Sequence, residues 1–106
     1  MNLSNMFSVS VLLHQDGDSW VAQCLEFDVA AQGKDEVEAK NRFLHTFASQ
    51  ILFDLQDKKD PLASLPSAPQ SYFDSLGAMS EDGPALPIWV PQNSARVRAQ
   101  FLKKAA

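Results

Sequence analysis

The chain has 106 residues, 45% of them hydrophobic, and a formal net charge of −4 at pH 7. This length suits one folded domain and is too short for two, and the hydrophobic content excludes a disordered chain. The N-terminus lacks a basic start, no apolar run approaches the roughly 18–20 residues of a membrane span, and the single Cys24 cannot form an internal disulfide. We therefore expect a soluble, cytoplasmic protein with no membrane partner.

Charge is distributed unevenly along the chain. All 13 acids and five of the nine bases lie at or before Asp82, so this part carries −8, whereas the segment after Pro91 has four bases and no acid. An acidic body of this kind repels nucleic acid and suits a basic protein partner. We therefore expect no direct binding of nucleic acid, and we expect the basic end to be the solvated face of a terminal helix.

The N-terminal part predicts a β-hairpin. Residues 7–15 alternate apolar and polar side chains, which is typical of a strand with one buried face. Asp16-Gly17 follows and is a strong hairpin signal, because both residues tolerate positive φ. A second strand is then expected from Trp20 to about Glu26.

The segment Glu26-Phe27-Asp28 interrupts an apolar run that would otherwise make an unusually long strand. Carboxylates are poor strand formers, and aspartate tolerates turn conformations. We therefore predict a reversal at this segment, followed by a short third strand over residues 29–33.

A long helix is predicted from Glu36 to Gln56. Asp35 can accept a hydrogen bond from an amide of the first turn, and Glu38 completes a capping box. Apolar residues recur every four positions, and this stripe must pack on one face of the small sheet. The stripe consists of Ala39, Phe43, Phe47, Ile51 and Leu55.

The second half of the chain predicts less regular structure. Residues 62–83 are rich in serine and predict a loop with one helical turn at most. The segment "ALPIWVP" predicts a proline-bounded strand at a sheet edge. The segment "SARVRAQFLKK" predicts a short terminal helix that is capped by Ser94.

These elements predict one domain over residues 1–106, with its core in residues 7–90 and a short tail or helix over 91–106. The expected fold class is α+β: a small antiparallel sheet in the order β-β-β-α-β, with one long helix packed on one face and a short C-terminal helix. The open edges of so small a sheet favour a homodimer or a higher homo-oligomer.

The order of elements and several motifs resemble the HicB-like antitoxin family. The matching pieces are Trp20 just after the hairpin turn, "VAQCLE", the strand end "AAQG", the helix start "EVEA" and the Pro-Ser loop "PLASLPSAP". The resemblance covers Phe7 to about Val90. It implies a partial RNase H-like domain without nuclease activity, which binds a small basic RNA-cleaving toxin and covers its active site.

Two features depart from the family pattern. A ribbon-helix-helix or helix-turn-helix domain usually follows this domain in the family. Here only sixteen residues follow Val90, so the sequence predicts no separate DNA-binding domain. The family also commonly has Pro-Gly at the turn where this chain has "EFDV".

One interpretation of the acids Asp16, Asp18, Glu26, Asp28 and Asp35 is a two-metal catalytic site. Such a site needs carboxylates that converge from adjacent strands, whereas most of these acids lie at a predicted hairpin tip or helix cap, where acids are favoured for local reasons. No nucleophile motif or phosphate-binding glycine pattern is present. We therefore expect no catalytic residue, no metal, no cofactor and no enzymatic activity, and we expect Cys24 to be a small buried residue.

The candidate partner-binding residues allow two interpretations. Glu26 and Asp28, which flank Phe27, either solvate a turn or form an acidic and aromatic edge for a basic partner. Trp20 and Trp89 belong either to the core or to an interface. The leading functional hypothesis is a HicB-like antitoxin that masks a small basic toxin. The alternative is a stand-alone oligomeric adaptor or ligand-binding module of the same fold without a toxin.

Overall fold

The structure is a computed structural model that describes residues 7–60, 62–88 and 97–104. Within these ranges it is an α+β fold, as predicted, with one mixed sheet of six strands and a long helix on one face. The elements are β1 (Phe7–Asp16), β2 (Ser19–Cys24), β3 (Ala30–Gly33), α1 (Glu36–Gln56), α2 (Gln70–Asp74), a 3-10 turn (Leu76–Ala78), β4 (Met79–Glu81), β5 (Leu86–Ile88) and β6 (Val97–Lys104).

The first three strands form the predicted antiparallel meander. Asp16 pairs with Ser19, so the hairpin loop consists of Gly17 and Asp18, one residue later than predicted. Gly17 has a φ of 62°, which glycine adopts without the steric cost that a side chain would add. The chain reverses again after β2, at the predicted segment, and β3 then pairs with β2.

The prediction for the C-terminal segment is wrong. Residues 97–104 form a strand, which pairs in parallel with β1 and antiparallel with β4 and β5, and the predicted cap Ser94 lies outside the described residues. Val97, Ala99 and Phe101 are buried at alternate positions, which is the period of a strand. The sheet order is β3-β2-β1-β6-β4, so the sheet is mixed rather than antiparallel, and the short second helix is Gln70–Asp74 instead.

The other side of β6 carries two short strands, of which the sequence predicted one. β5 begins inside "ALPIWVP" and contains Pro87, which lies opposite Arg98 of β6. Within the described residues β5 pairs with β6 alone, in agreement with the predicted edge position. The strand β4, Met79–Glu81, was not predicted, because it contains no β-branched or aromatic residue.

The helix α1 has the predicted bounds, and the predicted stripe is buried except at Leu55, which is half-buried. Asp35 Oδ1 accepts a hydrogen bond from Glu38 N at 2.8 Å, and Glu38 Oε1 accepts one from Lys34 N at 3.1 Å. The two side chains therefore cap the first turn reciprocally, although the second bond goes to the residue before the N-cap. The stripe residues Ala39, Phe43, Phe47 and Ile51 are fully buried.

Among the described residues no helix is long and apolar enough to cross a membrane.

The buried carboxylate Asp54 fixes the chain after α1. Asp54 is only 4% exposed, and its Oδ2 accepts a hydrogen bond from Leu62 N at 2.8 Å. Leu62 is fully buried and has a φ of 67°, a conformation that is costly for a residue with a side chain. The hydrogen bond and the burial of Leu62 together hold the strained turn in place.

Gly33 allows β3 to approach the start of α1 closely. A Cβ at this position would lie 2.5 Å from Ala39 N and 2.8 Å from Glu38 Cβ. Since the obstructing atoms include helix backbone, Gly33→Ala is expected to destabilise the fold by about 1–3 kcal/mol or more, measured by urea denaturation. Gly77→Ala is the matched control, because a Cβ there meets nothing within 4 Å. Equal losses of stability in the two variants would contradict the close packing.

Candidate functional site

The segment Glu26-Phe27-Asp28, which we call the acidic turn, joins β2 to β3. Its ends are fixed by a hydrogen bond from Cys24 N to Val29 O at 2.9 Å. Its last residue is fixed by a hydrogen bond from Asp28 N to Pro66 O at 2.7 Å, and Ala68 N donates to Leu25 O, just before the turn, at 2.9 Å. The backbone of the acidic turn is therefore held both by the sheet and by the loop that follows α1.

Both carboxylates of the acidic turn are exposed, and each is held by a hydrogen bond. Glu26 Oε1 accepts from Ser10 N at 2.8 Å, which continues the β1–β2 ladder where β2 has ended. Asp28 Oδ1 accepts from the side chain of Gln23 at 2.8 Å. In both cases the contact goes to one of the two carboxylate oxygens. The acidic turn therefore presents two negative charges at defined positions, which favours a cationic partner.

The aromatic candidates have structural contacts of their own. Phe27 is half-buried, and its ring packs against Phe47 with 6.3 Å between centroids. Trp20 is half-buried against the main core, and Lys103 Nζ lies 5.9 Å from its ring centroid. Phe27 therefore anchors the acidic turn to the core. Trp89 lies outside the described residues.

The structure brings together only part of the predicted set. Glu26, Phe27 and Asp28 share one turn, whereas Trp20 pairs with Gly33 at the opposite end of the β2–β3 ladder. Trp20 therefore does not belong to the same site as the acidic turn.

A shallow groove lies between β3 and α1, and the sequence did not predict it. Its volume is about 390 Å³. Arg42 Nη1 donates a hydrogen bond to Gln32 O at 3.1 Å across the groove, and Arg42 Nη2 lies 3.4 Å from Glu38 Oε1. The only sequence signal for this groove is a polar flank of α1 beside a short strand. The lining residues are Ala31, Gln32, Asn41, Arg42, His45 and Thr46.

Two ion pairs join the first turns of α1 to β6 and to the residue that follows β4. Lys103 Nζ lies 2.9 Å from Glu36 Oε1, and Lys40 Nζ lies 2.7 Å from Asp82 Oδ2. The hydrogen bond from Lys40 holds the pKa of Asp82 below its usual value, and the hydrogen bond to Glu36 raises the pKa of Lys103. Each charge is thus paired, which is typical of a structural contact.

The described acids do not converge on one point. Asp16 and Asp18 lie at the β1–β2 hairpin tip, whereas the acidic turn lies at the other end of β2. Within residues 7–60, 62–88 and 97–104, no group of three or more His, Cys, Asp or Glu side chains could hold a metal ion.

Cys24 is fully buried in the main core, as expected for a small core residue. Burial raises the pKa of its thiol from 9.0 to about 12, and the nearby Glu26 carboxylate also raises it. Cys24 is therefore expected to resist alkylation by iodoacetamide in the folded protein and to react once urea unfolds it. Rapid alkylation without denaturant would contradict this burial.

The same shift gives stability a dependence on alkaline pH. The unfolded thiol loses its proton above its pKa of 9.0, whereas the folded thiol keeps it up to about pH 12. The contribution of the buried neutral thiol is therefore complete below pH 9.0 and is lost as the pH rises towards about 12.

No known family model matches the chain, and no curated protein or solved structure is significantly similar to it. A function for this chain therefore depends on its own residues and on their geometry.

Proposed function

We propose that the chain is a HicB-like antitoxin that binds a small basic RNA-cleaving toxin in the cytoplasm and masks its active site, without catalysis or a cofactor of its own. The observation that carries the proposal is the acidic turn. Its two exposed carboxylates are held by hydrogen bonds: Glu26 accepts from Ser10 N and from the Cys24 thiol, and Asp28 accepts from the Gln23 side chain.

Fixed charges suit the masking of a basic protein. A mobile side chain loses conformational freedom when it pairs with a partner, whereas Glu26 and Asp28 are already ordered in the unbound chain. Fixed acidic groups also steer a basic partner towards the correct orientation before contact. The acidic turn therefore has the features of a preorganised site for a cationic protein surface.

The order of elements supports the same proposal. β1, β2, β3 and α1 follow one another as the family resemblance implies, and α1 packs on one face of the sheet. The resemblance also implies a strand after the helix at "ALPIWVP", where the structure has the short strand β5. The position of β6 was not predicted and adds nothing to the resemblance.

A second candidate function is favoured by the groove between β3 and α1. A stand-alone oligomeric adaptor or ligand-binding module would use this concave surface, whose polar lining includes Asn41, Arg42 and His45. The groove is open and lies beside a sheet edge, which suits contact with another chain more than enclosure of a small molecule. The groove therefore favours an adaptor over a ligand-binding module. We rank this function below the antitoxin function, which is argued from the two fixed carboxylates of the acidic turn.

The experiment that tests the antitoxin function is co-expression with the product of the neighbouring reading frame. If that product is a small basic protein that arrests growth and degrades RNA, this chain is expected to restore growth and to co-purify with it. Growth arrest that persists in the presence of the folded chain would overturn the proposal. A neighbouring product that is neither basic nor toxic would favour the adaptor function.

A further inference from the structure

We propose that the outer edge of β3 is the interface between two copies of this chain. The two β3 strands pair antiparallel about a two-fold axis that passes beside Ala31, so that the two sheets become continuous. This interface shares Asp28 with the acidic turn, but the inference is argued from the backbone of β3 and does not depend on the antitoxin function.

The backbone of β3 points two residues towards the open edge. Val29 O accepts a hydrogen bond from Cys24 N, which places residue 29 on the β2 side of the ladder. Successive residues of a strand point their backbone groups in opposite directions, so Ala30 and Gln32 direct theirs outward. Arg42 reaches Gln32 O from that outer side, in agreement with this alternation. In the part of the chain that the structure describes, no strand covers this edge.

One symmetric register uses all of these outward groups. When Ala31 lies opposite Ala31 of the second copy, Ala30 of each copy lies opposite Gln32 of the other, and these two symmetric Ala30–Gln32 pairs become hydrogen-bonded pairs. A register shifted by two residues towards Asp28 would need Asp28 N, which already donates to Pro66 O at 2.7 Å. The register centred on Ala31 is therefore the one that leaves no outward group of β3 without a partner.

The charges at the two ends of β3 are complementary in this register. Asp28 precedes the strand, Lys34 follows it, and both residues are exposed. Antiparallel pairing about Ala31 places Asp28 of each copy beside Lys34 of the other. Two symmetric ion pairs then close the ends of the interface, so the surface matches a second copy of this chain.

The side chains at the centre permit the required approach. Ala31 faces its symmetry mate as a non-hydrogen-bonded pair, where the two backbones come closest, and its methyl group is small. Ala31 also lines the groove beside α1. Pairing therefore brings the grooves of the two copies together on one face of the joined sheet. Gln32 O can keep its bond from Arg42, because a carbonyl oxygen accepts two hydrogen bonds.

The test measures the mass and the dimer dissociation constant of the full chain by light scattering and sedimentation equilibrium. The wild type is expected to be a dimer. Lys34→Asp reverses one partner of both ion pairs and is expected to raise the dissociation constant about 10-fold or more. Asp28→Lys with Lys34→Asp exchanges the two charges and is expected to restore dimerisation.

Two further variants separate the strand edge from general charge effects. Ala30→Pro removes an outward amide at the first position of β3, where proline is tolerated in a strand, and is expected to raise the dissociation constant about 10-fold or more. Lys104→Asp makes the same charge change at an exposed position of β6 and is expected to leave dimerisation unchanged. Circular dichroism and melting curves confirm that each variant is folded.

Several outcomes would overturn the proposal. A monomeric wild type, or a folded Ala30→Pro variant with unchanged affinity, would exclude the β3 edge. A folded charge-exchange variant that stays as weak as Lys34→Asp would exclude the register. A monomeric Lys34→Asp variant that still neutralises the toxin would separate the two surfaces and support the proposal. Failure of toxin binding with intact dimers would count against the antitoxin function alone.

Discussion

Replacement of Phe47 by alanine is expected to lower the free energy of unfolding by about 3–5 kcal/mol. Phe47 is fully buried on the inner face of α1. Its ring centroid lies 5.5 Å from that of Phe43 and 6.3 Å from that of Phe27. The truncation leaves a cavity between the helix and the sheet, because the neighbouring rings are held in place by their own contacts and cannot fill the space.

The measurement is urea denaturation followed by circular dichroism, with Ser49→Ala as the matched control. Ser49 lies on the exposed face of α1, and alanine favours a helix at such a position. The control is expected to change the urea midpoint little, and equal shifts for the two variants would refute the assigned inner face. Since Phe27 rests on Phe47, the Phe47→Ala variant is also expected to loosen the acidic turn and to weaken binding of a basic partner.

Under the proposed antitoxin function, reversal of both charges in the acidic turn is expected to weaken binding of the toxin by about 10–1000-fold. Glu26→Lys with Asp28→Lys converts two attractive contacts into two repulsive ones. An exposed pair contributes ~1 kcal/mol or less, a closer pair contributes a few kcal/mol, and each 1.4 kcal/mol corresponds to about 10-fold in affinity. Cells that express the toxin with this variant are therefore expected not to grow, whereas the wild type restores growth.

The hydrogen bonds of the acidic turn require controls on stability. The lysine variant also loses the bonds to Ser10 N and to Gln23, each of which contributes about 0.5–1.5 kcal/mol, so its melting temperature is expected to fall. Glu26→Gln with Asp28→Asn removes both charges and keeps an acceptor oxygen at each position. This neutral variant is expected to melt near the wild type and still to bind the toxin more weakly.

A second control places the same charge change elsewhere. Asp16→Lys with Asp18→Lys alters the exposed hairpin tip at the other end of β2 and is expected to leave growth rescue intact. Loss of rescue in both lysine variants would indicate a general effect of net charge. Full rescue by the folded Glu26→Lys, Asp28→Lys variant would exclude the acidic turn and leave Trp89 as the next candidate for substitution.

The sequence predicted the elements whose signals are local. The bounds of α1 follow from a four-residue apolar repeat and a side-chain cap at Asp35, and the reversal at the acidic turn follows from residues that disfavour strands. β6 could not be predicted in this way. Val97 and Phe101 are four residues apart, which fits a helix face and one face of a strand equally well. The choice between them depends on pairing with β1, and this pairing joins distant parts of the chain.

The candidate site was predictable in position and not in geometry. The sequence marks Glu26, Phe27 and Asp28 as a polar interruption of an apolar run. It carries no signal that Glu26 completes the ladder at Ser10, because that contact joins residues in different strands. Asp54 was missed for the same reason, since its partner Leu62 N lies beyond the end of the helix. The roles of Glu26 and Asp54 depend on burial and on hydrogen-bond partners distant in the sequence, and a local sequence pattern shows neither.

The parallel pairing of β1 with β6 affects how the protein is made in the cell. Residue 7 pairs with residue 97, so β1, β2, β3 and α1 leave the ribosome well before the strand that completes their sheet. During that interval the edge of β1 exposes unpaired amides and apolar side chains, which favour aggregation of incomplete chains. Pairing over such a distance also slows folding. Newly synthesised molecules are therefore expected to depend on chaperones until β6 has been translated and inserted.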